Sequence, residues 1–143
     1  MTDRYKFVCL NQGKHKIALI LYVFFMKIFK KINIQIEFFP ITDALTYNSM
    51  VSSISYFILQ NRGGGTTARN FAKWGCGSLC IMEDSPNSNV FKDIYKIDII
   101  NFKNYDEIAN KIKDSHHIDI QQNRIKIMDE ESRALEVLSK LYA

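Results

Sequence analysis

A run of three glycines, Gly63–Gly65, stands in the stretch QNRGGGTTARNF, directly after the apolar segment ISYFIL. Glycines let a ligand approach backbone N–H groups closely, because no side chain stands in the way. Thr66 and Thr67 can cap a following helix and donate hydroxyl hydrogen bonds, and the start of that helix carries a partial positive charge. Arg62 and Arg69 add positive charge nearby. The pattern predicts a phosphate site, with a plain glycine turn as the alternative.

The identity of the phosphate ligand is restricted by spacing. The glycines do not form a P-loop, because no Gly-Lys-Ser/Thr follows at the required distance. They do fit the dinucleotide fingerprint G-x-G-x-x-A through Gly63, Gly65 and Ala68, and the acids Glu83 and Asp84 follow about twenty residues later, where an acid would meet a ribose hydroxyl. That fingerprint normally opens its fold, whereas here it falls in mid-chain. Binding of an NAD(P)-type dinucleotide stays open as an alternative.

The glycine run lies where a predicted strand gives way to a predicted helix. The strand is Ile54–Leu59, rich in β-branched and aromatic residues. The helix is Thr66–Trp74, which ends at Gly75. A second buried strand, Ser78–Met82, follows and closes in the polar segment Glu-Asp-Ser-Pro-Asn. This order places the glycines at the carboxyl end of a strand.

The same alternation of strand and helix runs through the rest of the chain. Further strands are predicted at Tyr5–Leu10, Ile32–Phe38 and Lys96–Ile100. Further helices are predicted at His15–Lys31, Thr42–Ser53 and Met128–Leu141, and another begins at a capping box formed by Asn104 and Glu107. Such alternation predicts the α/β class, as a doubly wound, Rossmann-like parallel sheet with helices on both faces.

Three polar or glycine-rich turns follow predicted strands: Asn11–Gly13, Gly63–Gly65 and Glu83–Asn87. Ligands of doubly wound sheets bind at the carboxyl ends of the strands, where these turns meet. We therefore predict a binding site that joins the glycine loop and its threonines to side chains of the other two turns.

Length and composition indicate a globular chain. The 143 residues, 47% hydrophobic and 24% charged, predict a single domain over residues 1–143. Residues 1–31 hold seven Lys or Arg against one acid, Asp3, giving +6, so the remainder carries −2 of the total of +4. A basic end favours an anionic neighbour such as a membrane surface, although a solvated face has the same pattern.

The helix His15–Lys31 is apolar nearly all round, and this pattern predicts that it is buried. Phe24, Phe25, Phe29 and Trp74 are expected in the core. Nucleic-acid binding needs exposed aromatic residues among basic ones, so nucleic acid is not an expected partner. The apolar run Ile17–Met26 is too short to span a bilayer, since a spanning helix needs about 20 residues.

The three cysteines, Cys9, Cys76 and Cys80, are an odd number in a chain without the pattern of an export signal. They favour a reduced, cytoplasmic protein in which each cysteine is a small buried apolar residue. Cys76 and Cys80 lack the second pair of Cys or His that a structural zinc site needs, so no metal is expected.

The stretch ISYFILQNRGGGTTARNFAKWGCGSLCIMEDSPNSNVFKD resembles the nucleotide-sugar half of GT-B glycosyltransferases. It is most similar to the family of N-acetylfucosaminyltransferases that extend lipid II of the enterobacterial common antigen. The features that carry the resemblance begin with an aromatic strand (Tyr56–Phe57), a Gly-Thr loop (Gly63–Thr66) and a helix that ends at Gly75. A Cys-containing strand (Leu79–Ile81) follows, and then an acidic Asn/Pro segment (Glu83–Asn87) before the aromatic residue Phe91 and Asp93. The first turn, from Leu10 to His15, resembles that family's Asn-rich turn.

This resemblance implies that the glycine loop with Thr66 and Thr67 holds the diphosphate of a TDP-sugar, with Glu83 to Asn87 near the sugar or ribose and Asn11 in the first turn. No metal is required in such a fold, because backbone amides and a helix start offset the diphosphate charge. The acceptor would be a polyprenyl-diphosphate sugar or polysaccharide at the inner face of a bacterial membrane.

Two features set the chain apart from that family. Many retaining GT-B enzymes carry Glu-x7-Glu around this loop and helix, and the corresponding positions hold Arg62 and Asn70, which argues against the retaining subset. A GT-B enzyme also has two domains, and 143 residues hold one. We therefore expect a half-domain that needs a missing amino-terminal domain or partner chain for activity, or a non-catalytic binding module left from a truncated enzyme.

Overall fold

The computed structural model describes residues 5–9, 16–29, 34–38, 43–59, 61, 63–115 and 117–142. The chain divides into two compact units, Met1–Asp43 and Ala44–Ala143. The single domain over residues 1–143 stays a prediction.

The first unit contains a strand, a helix and a second strand. Strand β1 is Tyr5–Cys9, helix α1 is Lys16–Phe29 and strand β2 is Ile34–Phe38. The strands pair in parallel, in a register that runs from Tyr5 opposite Ile34 to Cys9 opposite Phe38. A parallel pair needs a crossover connection, and α1 supplies it. The predicted strand–helix–strand order is confirmed.

Helix α1 differs from the expectation of a buried helix. None of its fourteen residues is buried. Phe24, Phe25 and Phe29 are exposed, although Phe25 and Phe29 stack on each other with ring centroids 4.3 Å apart. The prediction that these aromatic residues belong to a core is wrong, because a crossover over a two-stranded sheet offers too little surface to cover a helix that is apolar on every side.

The second unit continues the alternation with three strands and five α-helices in its described residues. The elements are α2 (Ala44–Ser52), β3 (Tyr56–Leu59), α3 (Gly65–Trp74), β4 (Ser78–Met82), α4 (Pro86–Asn89), a π-helical turn (Val90–Ile94), β5 (Ile100–Phe102), a 3₁₀ turn (Tyr105–Glu107), α5 (Ile108–Lys113) and α6 (Ile120–Leu141). Strands β3, β4 and β5 form a parallel sheet in sequence order. The α/β class with parallel pairing is confirmed.

One face of the β3–β4–β5 sheet packs against α3. Phe57 and Leu59 of β3 lie beside Leu79 and Ile81 of β4 in the register, so their side chains share this face. The Phe71 ring of α3 is fully buried and stacks on Phe57 with centroids 5.3 Å apart. Burial of a side chain of this size contributes about 2–3 kcal/mol. Trp74, at the end of α3, is 59% exposed, so its predicted place in the core is wrong.

The opposite face of the sheet packs against α5. Cys80, Ile100, Phe102 and Ile108 form a buried cluster there. The 3₁₀ turn that leads into α5 begins with the predicted capping box: the Asn104 side chain accepts from the N–H groups of Asp106 and Glu107, and the Glu107 carboxylate accepts from the N–H of Asn104. Backbone N–H donors around this carboxylate, that of Lys103 foremost, lower the pKa of Glu107.

The strand predicted at Lys96–Ile100 is wrong in position. The strand begins at Ile100 and runs to Phe102. Lys96 has a φ of +54°, which strand geometry excludes. Its neighbour Ile97 is instead tied back by its N–H to the carbonyl of Phe91 at 3.1 Å. The segment before β5 therefore serves as a packed connection.

Helix α6 begins at Ile120, eight residues before the predicted Met128. The Asp119 side chain caps it by accepting from the N–H of Gln122 at 3.0 Å. Because residues Gln121–Arg124 are polar, apolar periodicity does not indicate this start of the helix. Two of its side chains make tertiary contacts: Asn123 is buried, and Arg124 Nη2 donates to the carbonyl of Gly75 at 3.0 Å.

Asn123 joins α6 to the connection before β5. Its side-chain oxygen accepts from the N–H of Asp98 and its side-chain nitrogen donates to the carbonyl of Asp98, both at 2.8 Å. The amide side chain thus satisfies both backbone groups of Asp98, as a neighbouring strand would.

We expect Asn123→Ala to lower the free energy of unfolding by about 2 kcal/mol, because two hydrogen bonds are lost and a backbone donor and acceptor lose their partners. The urea midpoint measures this loss. Gln122→Ala, at an exposed position of the same helix, is the control and should shift stability by less than about 0.5 kcal/mol. Equal midpoints for the two variants would contradict this role of Asn123.

Candidate functional site

The glycine loop joins β3 to α3 through left-handed backbone. Gly63 and Gly64 have φ values of +78° and +72°, a region that glycine adopts without steric cost. Helix α3 begins at Gly65, and its preceding residue, Gly64, makes no side-chain capping bond. Thr66 and Thr67 therefore lie inside the helix, and the prediction that a threonine caps it is wrong. Arg62 lies outside the described residues.

The start of α3 leaves backbone donors without helical partners. The N–H of Ala68 donates to the carbonyl of Gly64 at 2.9 Å, as the first bond of the helix. The N–H groups of Gly65, Thr66 and Thr67 lie in the first helical turn and have no acceptor within the helix. Such groups, together with the helix dipole, attract anions.

The loop after β4 meets the glycine loop at the same edge of the sheet. Asn87 lies on α4, whose start is fixed by the Ser85 side chain accepting from the N–H of Ser88 at 3.1 Å. The Asn87 side-chain nitrogen donates to the carbonyl of Gly63 at 3.2 Å. A Cβ atom on Gly65 would stand 3.2 Å from the Asn87 side-chain oxygen. The structure thus brings Asn87 and the glycine loop together, as the parallel topology predicts.

An open cleft of about 150 Å³ lies between α3 and the segment that follows β4. Its lining residues are Gly65, Thr66, Arg69, Asn87, Val90, Phe91 and Tyr95. Ligand pockets for whole drug-sized molecules measure about 300–1,000 Å³, so this cleft is of a size to hold one part of a larger ligand. The start of α3, at Gly65 and Thr66, and the Arg69 side chain line this cleft.

Arg69 supplies the positive charge of the cleft. A hydrogen bond to the Tyr95 side chain raises the pKa of the guanidinium above its usual value, and the negative charge of Glu131 acts in the same direction. Arg69 Nε lies 3.5 Å from Glu131 Oε1, while Lys73 Nζ donates to the other oxygen of that carboxylate. The Glu131 carboxylate on α6 therefore pairs with two cationic side chains of α3, Arg69 and Lys73. These contacts fix the charged Arg69 side chain beside the cleft.

A π-helical turn presents Tyr95 to the cleft. The turn spans Val90–Ile94, and the N–H of Tyr95 donates to the carbonyl of Val90 at 3.2 Å. Phe91 is buried and its ring lies 5.6 Å from that of Tyr95, centroid to centroid. Tyr95 is a site residue that the sequence did not reveal, because a π-helical turn changes which residues share a face. The resemblance had drawn attention to Phe91 and Asp93 in this segment, and not to Tyr95.

Other predicted site residues lie elsewhere. The Thr67 hydroxyl lies 3.3 Å from that of Tyr47, on the side of α2, and Thr67 does not line the cleft. Glu83 donates its N–H to the carbonyl of Phe102 at 2.8 Å, and its carboxylate lies 4.0 Å from Lys103 Nζ, which places it on the β5 side of the sheet edge. Asn11 lies outside the described residues.

The described cysteines are of two kinds. Cys80 is buried in β4, and burial raises the pKa of its thiol to about 12. Cys76 is exposed, so its predicted burial is wrong. The side chain of Cys9 is outside the described residues. Within the described part of the chain, no three His, Cys, Asp or Glu side chains are grouped to hold a metal ion, and a site without metal stays a prediction.

The chain matches no protein-family model, no curated protein and no solved structure. Among the described residues, no helix is both long enough and apolar enough to cross a membrane.

The two left-handed glycines differ in their surroundings, and alanine variants should separate the two effects. A Cβ on Gly63 meets nothing within 4 Å, whereas one on Gly64 meets Leu59 Cδ1 at 2.8 Å. Gly63→Ala should cost about 1 kcal/mol for left-handed backbone, and Gly64→Ala about 1 kcal/mol more, because buried Leu59 must move. Urea denaturation measures both. Equal losses would show that Leu59 does not constrain the loop.

Proposed function

We propose that the cleft binds the diphosphate of a nucleotide sugar. The observation that carries this proposal is the convergence of three anion-binding features on one cleft: the start of α3 at Gly65, the Thr66 position and the Arg69 guanidinium. Backbone donors and a fixed arginine offset the charge of a diphosphate without a metal ion.

The nucleoside and the sugar extend beyond the cleft in this proposal. The cleft is smaller than a nucleotide sugar needs, and Asn87 and Tyr95 are among its lining residues. Glu83, which follows β4 in the same unit, is proposed to contact the ribose or the sugar.

The reaction class that fits such a site is glycosyl transfer. The chain serves as the donor-binding half of a GT-B glycosyltransferase similar to the N-acetylfucosaminyltransferase family, which passes a sugar to a lipid-linked or polysaccharide acceptor in bacterial surface-glycan synthesis. In an inverting transfer, the donors at the start of α3 and Arg69 stabilise the leaving nucleotide diphosphate, and a general base deprotonates the acceptor hydroxyl. In such an enzyme, that base belongs to the amino-terminal acceptor domain.

The test is a calorimetric titration of the purified chain with TDP, UDP, GDP and NAD. Binding of TDP or UDP in preference to NAD is the expected result. Preference for NAD would contradict the proposal and favour dinucleotide binding through the fingerprint residues Gly63, Gly65 and Ala68. Absence of binding to all four nucleotides would overturn nucleotide binding by this chain and leave a binding module without a catalytic role.

We expect Gly65→Ala to weaken nucleotide binding at least about tenfold, which corresponds to ~1.4 kcal/mol. The added methyl group stands 3.2 Å from the Asn87 side-chain oxygen and narrows the approach to the helix start. Gly65 already has helical backbone, so the urea midpoint should stay within about 1 kcal/mol of wild type. Gly65 is a cleaner position for this test than Gly64, where a side chain would also strain left-handed backbone. Wild-type affinity in Gly65→Ala would argue against the helix start as the binding element.

Arg69→Gln should lower nucleotide affinity by about tenfold, because a charge-assisted bond to a phosphate is worth ~1.5–3 kcal/mol. Arg133→Gln is the matched control: it makes the same chemical change and removes one ion pair with a glutamate, at 3.6 Å from Glu130, on the exposed side of α6. Titration of both variants with TDP should show a loss for Arg69→Gln alone. A similar loss in both would indicate a general effect of net charge.

A further inference from the structure

Helix α1 is an apolar rod with a cation near each end. Its sequence is KIALILYVFFMKIF, in which Lys16 and Lys27 are the charged residues and no acid occurs. None of its residues is buried. Nine of its large apolar side chains are exposed: Ile17, Leu19, Ile20, Leu21, Tyr22, Phe24, Phe25, Ile28 and Phe29.

The contacts of α1 leave most of this surface uncovered. Within the first unit the helix contacts β2, and Lys16 Nζ stands over the Phe38 ring at 5.1 Å from its centroid. Val23 and Met26 are half-buried, while the side chains on the remaining faces stay exposed. A contiguous apolar surface of this extent marks a site for a partner or a membrane.

The fourteen described residues of α1 are too few to cross a bilayer. They give a rod about 21 Å long, against a hydrocarbon core of about 30 Å. A helix on the surface of a protein can instead bind along a bilayer, with its exposed apolar side chains among the acyl chains near the headgroups.

The charge around α1 selects among possible occupants. Lys14, Lys30 and Lys31 flank the helix in sequence, and residues 1–31 carry +6. Each Lys or Arg near an anionic membrane contributes about 1 kcal/mol of attraction. A second copy of this chain would instead bring like charges together across the interface. We propose that α1 docks on an anionic phospholipid surface, with its apolar side chains inserted at the level of the headgroups and its lysines paired with lipid phosphates.

Helix α6 provides an internal comparison. It also exposes apolar side chains, including Leu135 at 67% and Leu138 at 49%, close to the values for Leu21 at 62% and Phe25 at 53% on α1. Around them stand charges of both signs, Glu136 and Lys140 among them. The surface of α6 therefore has apolar exposure without the positive field, and it serves as the control for exposure alone. Docking of α1 on lipid requires no nucleotide in the cleft.

The experiment is cosedimentation of the full chain with vesicles of phosphatidylcholine, with or without phosphatidylglycerol. We expect the chain to pellet with anionic vesicles and stay in solution with neutral ones, and added salt should reduce the bound fraction. The double variant L21N/F25N should bind at least about tenfold more weakly, since two inserted side chains are worth over ~1.4 kcal/mol. The matched variant L135N/L138N should bind like wild type.

The second arm changes charge alone. K16Q/K27Q keeps the apolar surface and should weaken binding to anionic vesicles by about thirtyfold, at ~1 kcal/mol for each lysine. Circular dichroism verifies that each variant keeps its helix content. Equal binding of wild type and both α1 variants would overturn the proposal, as would equal binding to neutral vesicles. Failure to pellet with either kind of vesicle would overturn it too, and sedimentation equilibrium would then test whether a second copy of the chain covers α1.

Discussion

The stacking of Phe71 on Phe57 is the contact on which the second unit depends. It fixes α3 on one face of β3 and β4, and so determines where the first turn of α3 stands at the sheet edge. Gly75 makes this packing feasible, because a Cβ there would lie 2.8 Å from the Phe71 ring and 2.6 Å from its carbonyl oxygen. A single large side chain in the core therefore positions the donors of the cleft, some two helical turns away.

The elements with strong local signals could be predicted from the sequence. Strand Ser78–Met82 has the predicted bounds, and α3 ends at Trp74 as predicted, because Gly75 stops it. The capping box of Asn104 and Glu107 is also where the sequence indicates. Each of these rests on interactions within a few residues, and such interactions are visible in a sequence.

The errors arise where distant parts of the chain decide the structure. The start of α6 depends on Asn123 satisfying Asp98, a partner twenty-five positions earlier, and no apolar pattern announces it. The prediction that α1 is buried is wrong, because an apolar composition shows that a helix favours burial but does not show whether another surface is available to cover it. In the site, proximity of Asn87 to the glycines followed from parallel topology, whereas Tyr95 depended on a π-helical turn that periodicity does not reveal.

Helix α6 is unevenly anchored, and this has a consequence for local stability. Its first half is tied to the sheet connection through Asn123, to Gly75 through Arg124 and to α3 through Glu131. From residue 132 to residue 142 every side chain is exposed. An isolated helix of this length is marginal in water, so the second half opens at a free energy well below that of global unfolding. The amide protons of α6 therefore exchange with solvent in a gradient, slowest beside Asn123 and fastest towards Leu141.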